Sequence, residues 1–157
     1  MKIGVLSDTH GLLRPEVLPA LAHSEVEQIL HLGDVGDAAI LKTLAAIAPV
    51  HAIRGNIDRS GLCGKLPETD VLLFAGHTLY LLHDLGTLDL DPAAARFSVV
   101  LYGHSHKPHS EVRKDVLYFN PGSCGPRRFE LPITLGILTL EAGRAPAAEI
   151  VSLPSSP

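Results

Sequence analysis

The chain has 157 residues, a length that fits a single domain, residues 1–157, around one core. With 46% hydrophobic and 19% charged residues it has an ordinary globular composition, and no apolar run approaches the ~18 residues of a membrane span, so no membrane partner is expected. A net charge of −4, with 13 basic residues dispersed and no basic run longer than Arg127-Arg128, argues against long nucleic acid as a partner.

The first apolar run, residues 2 to 7, reads as a buried strand rather than a signal peptide, because Asp8 and His10 arrive before an adequate apolar region or cleavage site. A helix follows over residues 15 to 23, with proline tolerated in its first turn. Residues 28 to 32 form a second strand, and Asp37 is placed to cap a helix over 37 to 48. A third strand covers residues 50 to 54, so the first half is β-α-β-α-β. Further strands at 71 to 75 and 78 to 82 read as a hairpin through Gly76-His77, and residues 112 to 119 as another through Lys114-Asp115. Strands at 99 to 102 and 133 to 140, a short helical stretch at 92 to 96 and fraying over 154 to 157 complete the map, with a mostly antiparallel second sheet. Most strands are continuously apolar, the pattern of a sheet covered on both faces. The economical fold is α/β, two packed sheets flanked by helices. Cys63 and Cys124 show no CxxC spacing, so neither a disulfide framework nor a thiolate metal site is indicated, and a reducing cytoplasm is expected.

Nine histidines in so short a chain direct attention to metal ligation. Asp8-Thr9-His10 follows the first strand, Gly33-Asp34 the second, Gly55-Asn56 the third, His83 the hairpin strand, and Gly103-His104-Ser105-His106 the strand near residue 100. Carboxyl ends of strands in such a sheet open onto one crevice, where distant residues can converge. Asp8, His10, Asp34, Asn56, His83, His104 and His106 offer two carboxylates, one amide oxygen and four imidazoles. That set suits borderline divalent ions: manganese first, with nickel, iron, cobalt and zinc as alternatives. Seven ligands are too many for one ion. If Asp34 bridges, they divide into two half-shells, leaving room for a hydroxide and for substrate oxygens. Each motif alone has a plainer reading: an Asp after a strand is usually a turn residue, and a Gly-His pair usually carries a surface histidine. Their joint occurrence reverses that reading. Asp37, Asp58, Asp89 and Asp91 are assigned to caps and turns, His23, His51, His77 and His109 to the surface or to packing, and His31 to a hydrogen-bonded core position.

Taken together, Asp8-x-His10, Gly33-Asp34, Gly55-Asn56, His83 and Gly103-His104-x-His106 resemble the calcineurin-like metallophosphoesterases, and more narrowly the small YfcE-like phosphodiesterase branch. The resemblance runs from Lys2 to about Arg128. It implies a four-layer α/β/β/α sandwich, with Asp8, His10, Asp34 and His106 on one metal and Asp34, Asn56, His83 and His104 on the other. Asp34, Asn56 and His104 are the expected catalytic residues, acting on a small phosphodiester by in-line hydroxide attack, and Arg54 and Arg127 the expected phosphate-binding residues. The turn Asn120-Pro121-Gly122-Ser123 is expected to support the wall of the site. Two departures stand out. Larger relatives have a leaving-group acid, histidine, where this chain has Ile57, so good leaving groups should be favoured. Asp84 replaces a usual glycine and would either orient His83 or repel a substrate anion. Rival readings are a non-catalytic scaffold, since the retromer scaffold subunit resembles this branch, and a phosphomonoesterase or nuclease. A homodimer is a further possibility for so leucine-rich a chain.

Overall fold

In the computed structural model, which describes residues 1–154, the chain forms two five-stranded mixed sheets. Of the fraying expected over residues 154 to 157, all but residue 154 lies outside the described residues. Strand β1 (Lys2–Leu6), helix α1 (Val17–His23), β2 (Gln28–His31), α2 (Ala38–Leu44) and β3 (Val50–Ala52) make the expected β-α-β-α-β unit. Its strands pair in parallel, Gly4 opposite Ile29 and Leu30 opposite His51. Asp37 caps α2 by accepting from the Ala39 N–H at 2.9 Å. Both helices are shorter than expected. In α2 the end tightens after Leu44 into i to i+3 bonds from Ala46 to Thr43 and from Ile47 to Leu44.

The second half forms β4 (Thr69–Phe74), β5 (His77–Leu82), β6 (Val99–Leu101), β7 (His109–Arg113) and β8 (Val116–Asn120), in the order β4-β5-β6-β8-β7. Both expected hairpins are present. The first turns one residue early, at Ala75 and Gly76, both with positive φ, because His77 already pairs with Phe74. Lys114 and Asp115 turn the second with φ of 48° and 62°. The sheet is less antiparallel than expected: β5-β6 and β6-β8 are parallel, since the intervening segments cross over the sheet before re-entering it.

The remaining strands return to the first sheet. Strand β9 (Thr134–Thr139) lies antiparallel to β1, and β10 (Ala147–Ser152), absent from the expected elements, pairs outside β9. Its burial pattern is mostly exposed, as befits an edge strand with little apolar signal.

Alternation along the strands sorts the core. Ile3, Val5, Leu30 and Leu32 face Leu79, Leu81, Leu101 and Phe119 between the sheets. Leu6 and Ile29 face Val17, Leu21, Ile40 and Leu44 on the helices. Gly4 leaves the space that Leu21 fills, since a Cβ there would lie 2.5 Å from Leu21 Cδ2. The fourth layer, over Tyr80, Leu82 and Val100, is a 3-10 turn, Leu85–Thr87, and the segment through Phe97. The helical stretch expected at 92 to 96 is a hydrogen-bonded turn, in which Asp91 accepts from the Ala93 N–H at 3.0 Å. Tyr80 and Phe97 stack there, rings 5.1 Å apart and 4° from coplanar. Truncating a buried inter-sheet leucine such as Leu30 would cost about 2–5 kcal/mol, so the loops at the strand ends stand on a rigid base.

Candidate metal centre

The loops after β1, β2, β3, β5 and β6 meet at one end of the sandwich. Main-chain bonds join them: Asp8 N to Gly33 O at 3.1 Å, His10 N to Asp34 O at 2.9 Å and Gly103 N to His83 O at 2.9 Å. Space is too tight there for side chains at the glycines. A Cβ on Gly33 would sit 2.7 Å from both Gly55 N and His83 Nδ1, and φ of +97° excludes most other residues.

This packing brings together all seven candidate ligands. One group is Asp8, His10 and His106, another Asp34, His83 and His104, with the donor atoms within each group inside 4.8 Å of one another. Asp34 Oδ2 lies between the two groups, 3.4 Å from His10 Nε2 and 3.3 Å from His83 Nε2. Asn56 Oδ1 lies 3.1 Å from His83 Nε2 and 3.1 Å from His104 Nδ1. Five of the seven, Asp8, His10, Asp34, His104 and His106, have positive φ. Left-handed backbone costs non-glycine residues about 1–3 kcal/mol each, and its concentration here marks a segment shaped for its donors rather than for stability.

Surrounding groups orient the donors. His83 Nδ1–H donates to Leu32 O at 2.7 Å, which leaves the Nε2 lone pair facing Asp34 and Asn56. Asp34 Oδ1 accepts from the Ile57 N–H at 3.0 Å, and Asp8 Oδ2 from the His104 N–H at 3.0 Å, so each carboxylate keeps its second oxygen for the centre. Thr9 donates to Val35 O at 2.9 Å and therefore accepts from His31 Nε2–H at 3.0 Å, making His31 the hydrogen-bonded core residue expected of it.

Fit to a metal can be judged from the buried polar atoms. Asp8 Oδ1 has no hydrogen-bond partner among the described residues, yet it is ringed by His106, His10 and His83 nitrogens at 3.4, 3.7 and 3.9 Å. The Nε2 atoms of His10 and His106 face each other at 3.3 Å. Such convergence of lone pairs suits a shared cation. Electrostatics agree. Burial opposes ionisation of Asp8, but the His10 and His106 imidazoles and the Ser7 hydroxyl outweigh it and hold the carboxyl well below its usual range. In Asp34 burial is likewise overcome, by His83 and the Ile57 N–H, and its pKa is lowered. Burial pushes His83 down, but Asp34 and the Leu32 carbonyl reverse the direction and raise it. The centre therefore stabilises positive charge between its carboxylates.

A cavity of about 580 Å³ opens beside Asn56, His83 and His104. Arg54 stands on its wall, where its guanidinium donates to Gly64 O at 3.0 Å and to Glu68 at 2.5 Å. Arg127 is exposed and does not line this cavity. Asp84 turns away from the role of orienting His83, which Leu32 O fills. It accepts from the Gly86 N–H at 2.8 Å and lies 3.8 Å from His104 Nε2.

Three supporting groups extend beyond the candidate ligands. Asp58, assigned from the sequence to a cap or turn, is 4% exposed and accepts from the N–H groups of Val35, Gly36 and Gly55 at 3.1, 3.0 and 2.9 Å, bracing the Asp34 loop against the Asn56 loop. Its only sequence signal is its place two residues after Asn56. Asn120 donates to Gly103 O at 3.0 Å and to Ser105 Oγ at 3.1 Å, and Ser123 donates to Asp8 O at 2.9 Å. The turn from Asn120 to Ser123 thus buttresses the wall, as expected.

Residues 1–143 match the calcineurin-like phosphoesterase superfamily domain. A probable metallophosphoesterase of Methanocaldococcus jannaschii is 35% identical over 130 residues, covering 78% of this chain and 68% of its own length. The phosphodiesterase YfcE of Escherichia coli is 31% identical over 161 residues, covering 88% and 87%. Its solved structure, described as that of a phosphoesterase, superposes with a TM-score of 0.70 at 27% identity, covering 88% of each chain. Vacuolar protein sorting 29 from Cryptosporidium parvum shares the fold, with a TM-score of 0.78 over 96% of each chain at 17% identity. The chain therefore belongs to the calcineurin-like phosphoesterase superfamily and is a metallophosphoesterase by family.

Proposed function

We propose that residues 1–157 act as one cytoplasmic phosphodiesterase domain that hydrolyses small phosphodiesters at a dinuclear metal centre by hydroxide attack. Asp8, His10, Asp34 and His106 would hold one ion, and Asp34, Asn56, His83 and His104 the other. Manganese heads the candidates, followed by nickel, iron, cobalt and zinc; oxygen and imidazole donors without a thiolate suit this range of ions. Two such ions, when bound, supply Lewis acidity toward phosphoryl oxygens and a hydroxide at neutral pH. The carrying observation is Asp34 Oδ2, placed within 3.4 Å of an imidazole from each donor group.

The chain's own residues do the positioning. Asp34, with its other oxygen held by Ile57 N–H, presents one oxygen to both halves of the site. His83 offers Nε2 because Leu32 O holds its opposite nitrogen. Arg54 keeps the substrate-binding role in this reading, with its charge shared with Glu68, whereas the exposed position of Arg127 gives that residue no such support. Among the described residues no helix is long and apolar enough to cross a membrane.

The test is an assay of purified protein, reconstituted with manganese, against bis-p-nitrophenyl phosphate and p-nitrophenyl phosphate. Diester turnover should be lost with chelator, with Asp34→Ala and with His104→Ala. Turnover that persists in all three would refute the site assignment, and faster monoester turnover would favour a phosphomonoesterase. A second reading, a non-catalytic scaffold, is favoured by the shared fold of vacuolar protein sorting 29. Metal bound at full stoichiometry with neither ester hydrolysed would favour it.

A further inference from the structure

The cavity beside the centre carries a charge pattern opposite to that expected of a general phosphate pocket. Its volume, about 580 Å³, lies in the range of small-molecule sites, and it runs from Asn56, His83 and His104 out to Asp89. Among the described residues Arg54 is its single cationic wall residue besides histidine, and Glu68 pairs with it at 2.5 Å. Asp84 and Asp89 then remain uncompensated by any lysine or arginine of the lining. Asp84 comes within 3.8 Å of His104 Nε2, so the acidic wall begins at the edge of the centre itself. Tyr80 and Leu82, both buried, add apolar surface between these groups. The site is thus bipolar: a centre whose clustered oxygen and imidazole donors would hold cations and so would receive an anion once loaded, and a neighbouring groove that attracts a cation.

We propose that this groove selects zwitterionic phosphodiesters, in which the alcohol released by hydrolysis carries an ammonium group. The inference rests on the phosphodiesterase reading above. In this arrangement the phosphate lies at the donor cluster and the ammonium lies toward Asp84 and Asp89. Hydrolysis joins the oxygen of water to phosphorus and breaks the bond from phosphorus to the amino-alcohol oxygen. That oxygen keeps the electron pair and takes one proton of the water. The other goes to solvent or to the phosphomonoester. Ile57, exposed and apolar beside Asn56, supplies no proton to the departing oxygen. An ammonium group close to that oxygen makes the alcohol less basic by induction, and so a better leaving group where no acid is positioned. A nucleotide bearing a further phosphate would place negative charge against the same wall.

The experiment measures binding by calorimetry on manganese-loaded protein, with phosphocholine and its neutral isostere 3,3-dimethylbutyl phosphate. A preference for phosphocholine of about fivefold to tenfold is expected from two partly exposed carboxylates, and it should shrink in high salt. Asp89→Asn and Glu68→Gln should each narrow it, the second by releasing Arg54, while Asp115→Asn on the distant hairpin should leave it at the wild-type value. Equal affinities, or a preference untouched by Asp89→Asn and Glu68→Gln, overturn the proposal. Bis-p-nitrophenyl phosphate turnover alongside equal affinities sinks the groove and spares the hydrolase. A preference that follows the variants without any diester turnover supports the groove and sinks the hydrolase reading instead.

Discussion

Replacing Asp58 should weaken both the fold and the proposed metal centre, although Asp58 is not among the proposed ligands. Its carboxylate accepts three main-chain N–H bonds, from Val35, Gly36 and Gly55, at 2.9 to 3.1 Å, and it is 4% exposed. Hydrogen bonds to a charged group contribute about 1.5–3 kcal/mol each, and a donor left buried loses its solvation as well. Two of the three bonds are only part-buried, so water can replace some of the loss. Asp58→Ala should therefore cost about 3–5 kcal/mol in unfolding free energy, the upper range for a single substitution. Asp58→Asn keeps one acceptor oxygen but turns an amide toward the remaining donors, and should cost about 1–3 kcal/mol. Urea denaturation in the presence of chelator measures this without contribution from bound metal. Calorimetric titration with manganese then measures the second effect. Because Asp58 bridges the loops that carry Asp34 and Asn56, metal affinity should fall about 10-fold to 100-fold. An Asp58→Ala protein whose urea midpoint and metal affinity both match wild type would refute the bracing role, since such a result belongs to an unconstrained surface residue.

Other consequences can be checked with similar economy. His31, pushed down to about 4 by burial, stays neutral when folded but protonates near 6.5 when unfolded, so the unfolded state binds the extra proton between those values. Stability should fall as pH drops from 6.5 toward 4, by up to about 3 kcal/mol, and comparison with His31→Gln in chelator should show that part of the slope gone. Gly33→Ala forces a Cβ to 2.7 Å from His83 Nδ1 at a φ of +97°; a loss of about 2–4 kcal/mol and weakened manganese binding are expected, and a variant with wild-type melting would contradict the packing. Ile57→His restores an imidazole beside Asn56. If lack of an acid limits poor leaving groups, turnover of an alkyl diester should rise about 10²-fold or more, while bis-p-nitrophenyl phosphate changes little; an equal change in both would exclude that explanation.

Much of the architecture is local and therefore readable along the chain. Continuous runs such as Lys2–Leu6 and Gln28–His31 read as strands covered on both faces, and Asp37 announces the helix it caps. Donor chemistry is also local: a carboxylate or an imidazole keeps its character wherever the chain carries it, so the seven ligand candidates could be named from their positions at strand ends. What the chain order does not contain is which side chains meet. The return of β9 beside β1 and the weakly apolar edge strand β10 depend on which sheet edge is left open after the earlier strands have packed. Asp58 looked like a turn residue because its three partners come from two loops, and Asp84 faces His104 instead of steadying His83 because Leu32 O had already taken that nitrogen. Contacts of this kind are fixed by close packing across large sequence separations, where a shift of an ångström changes the partner, and residue type alone carries no record of them.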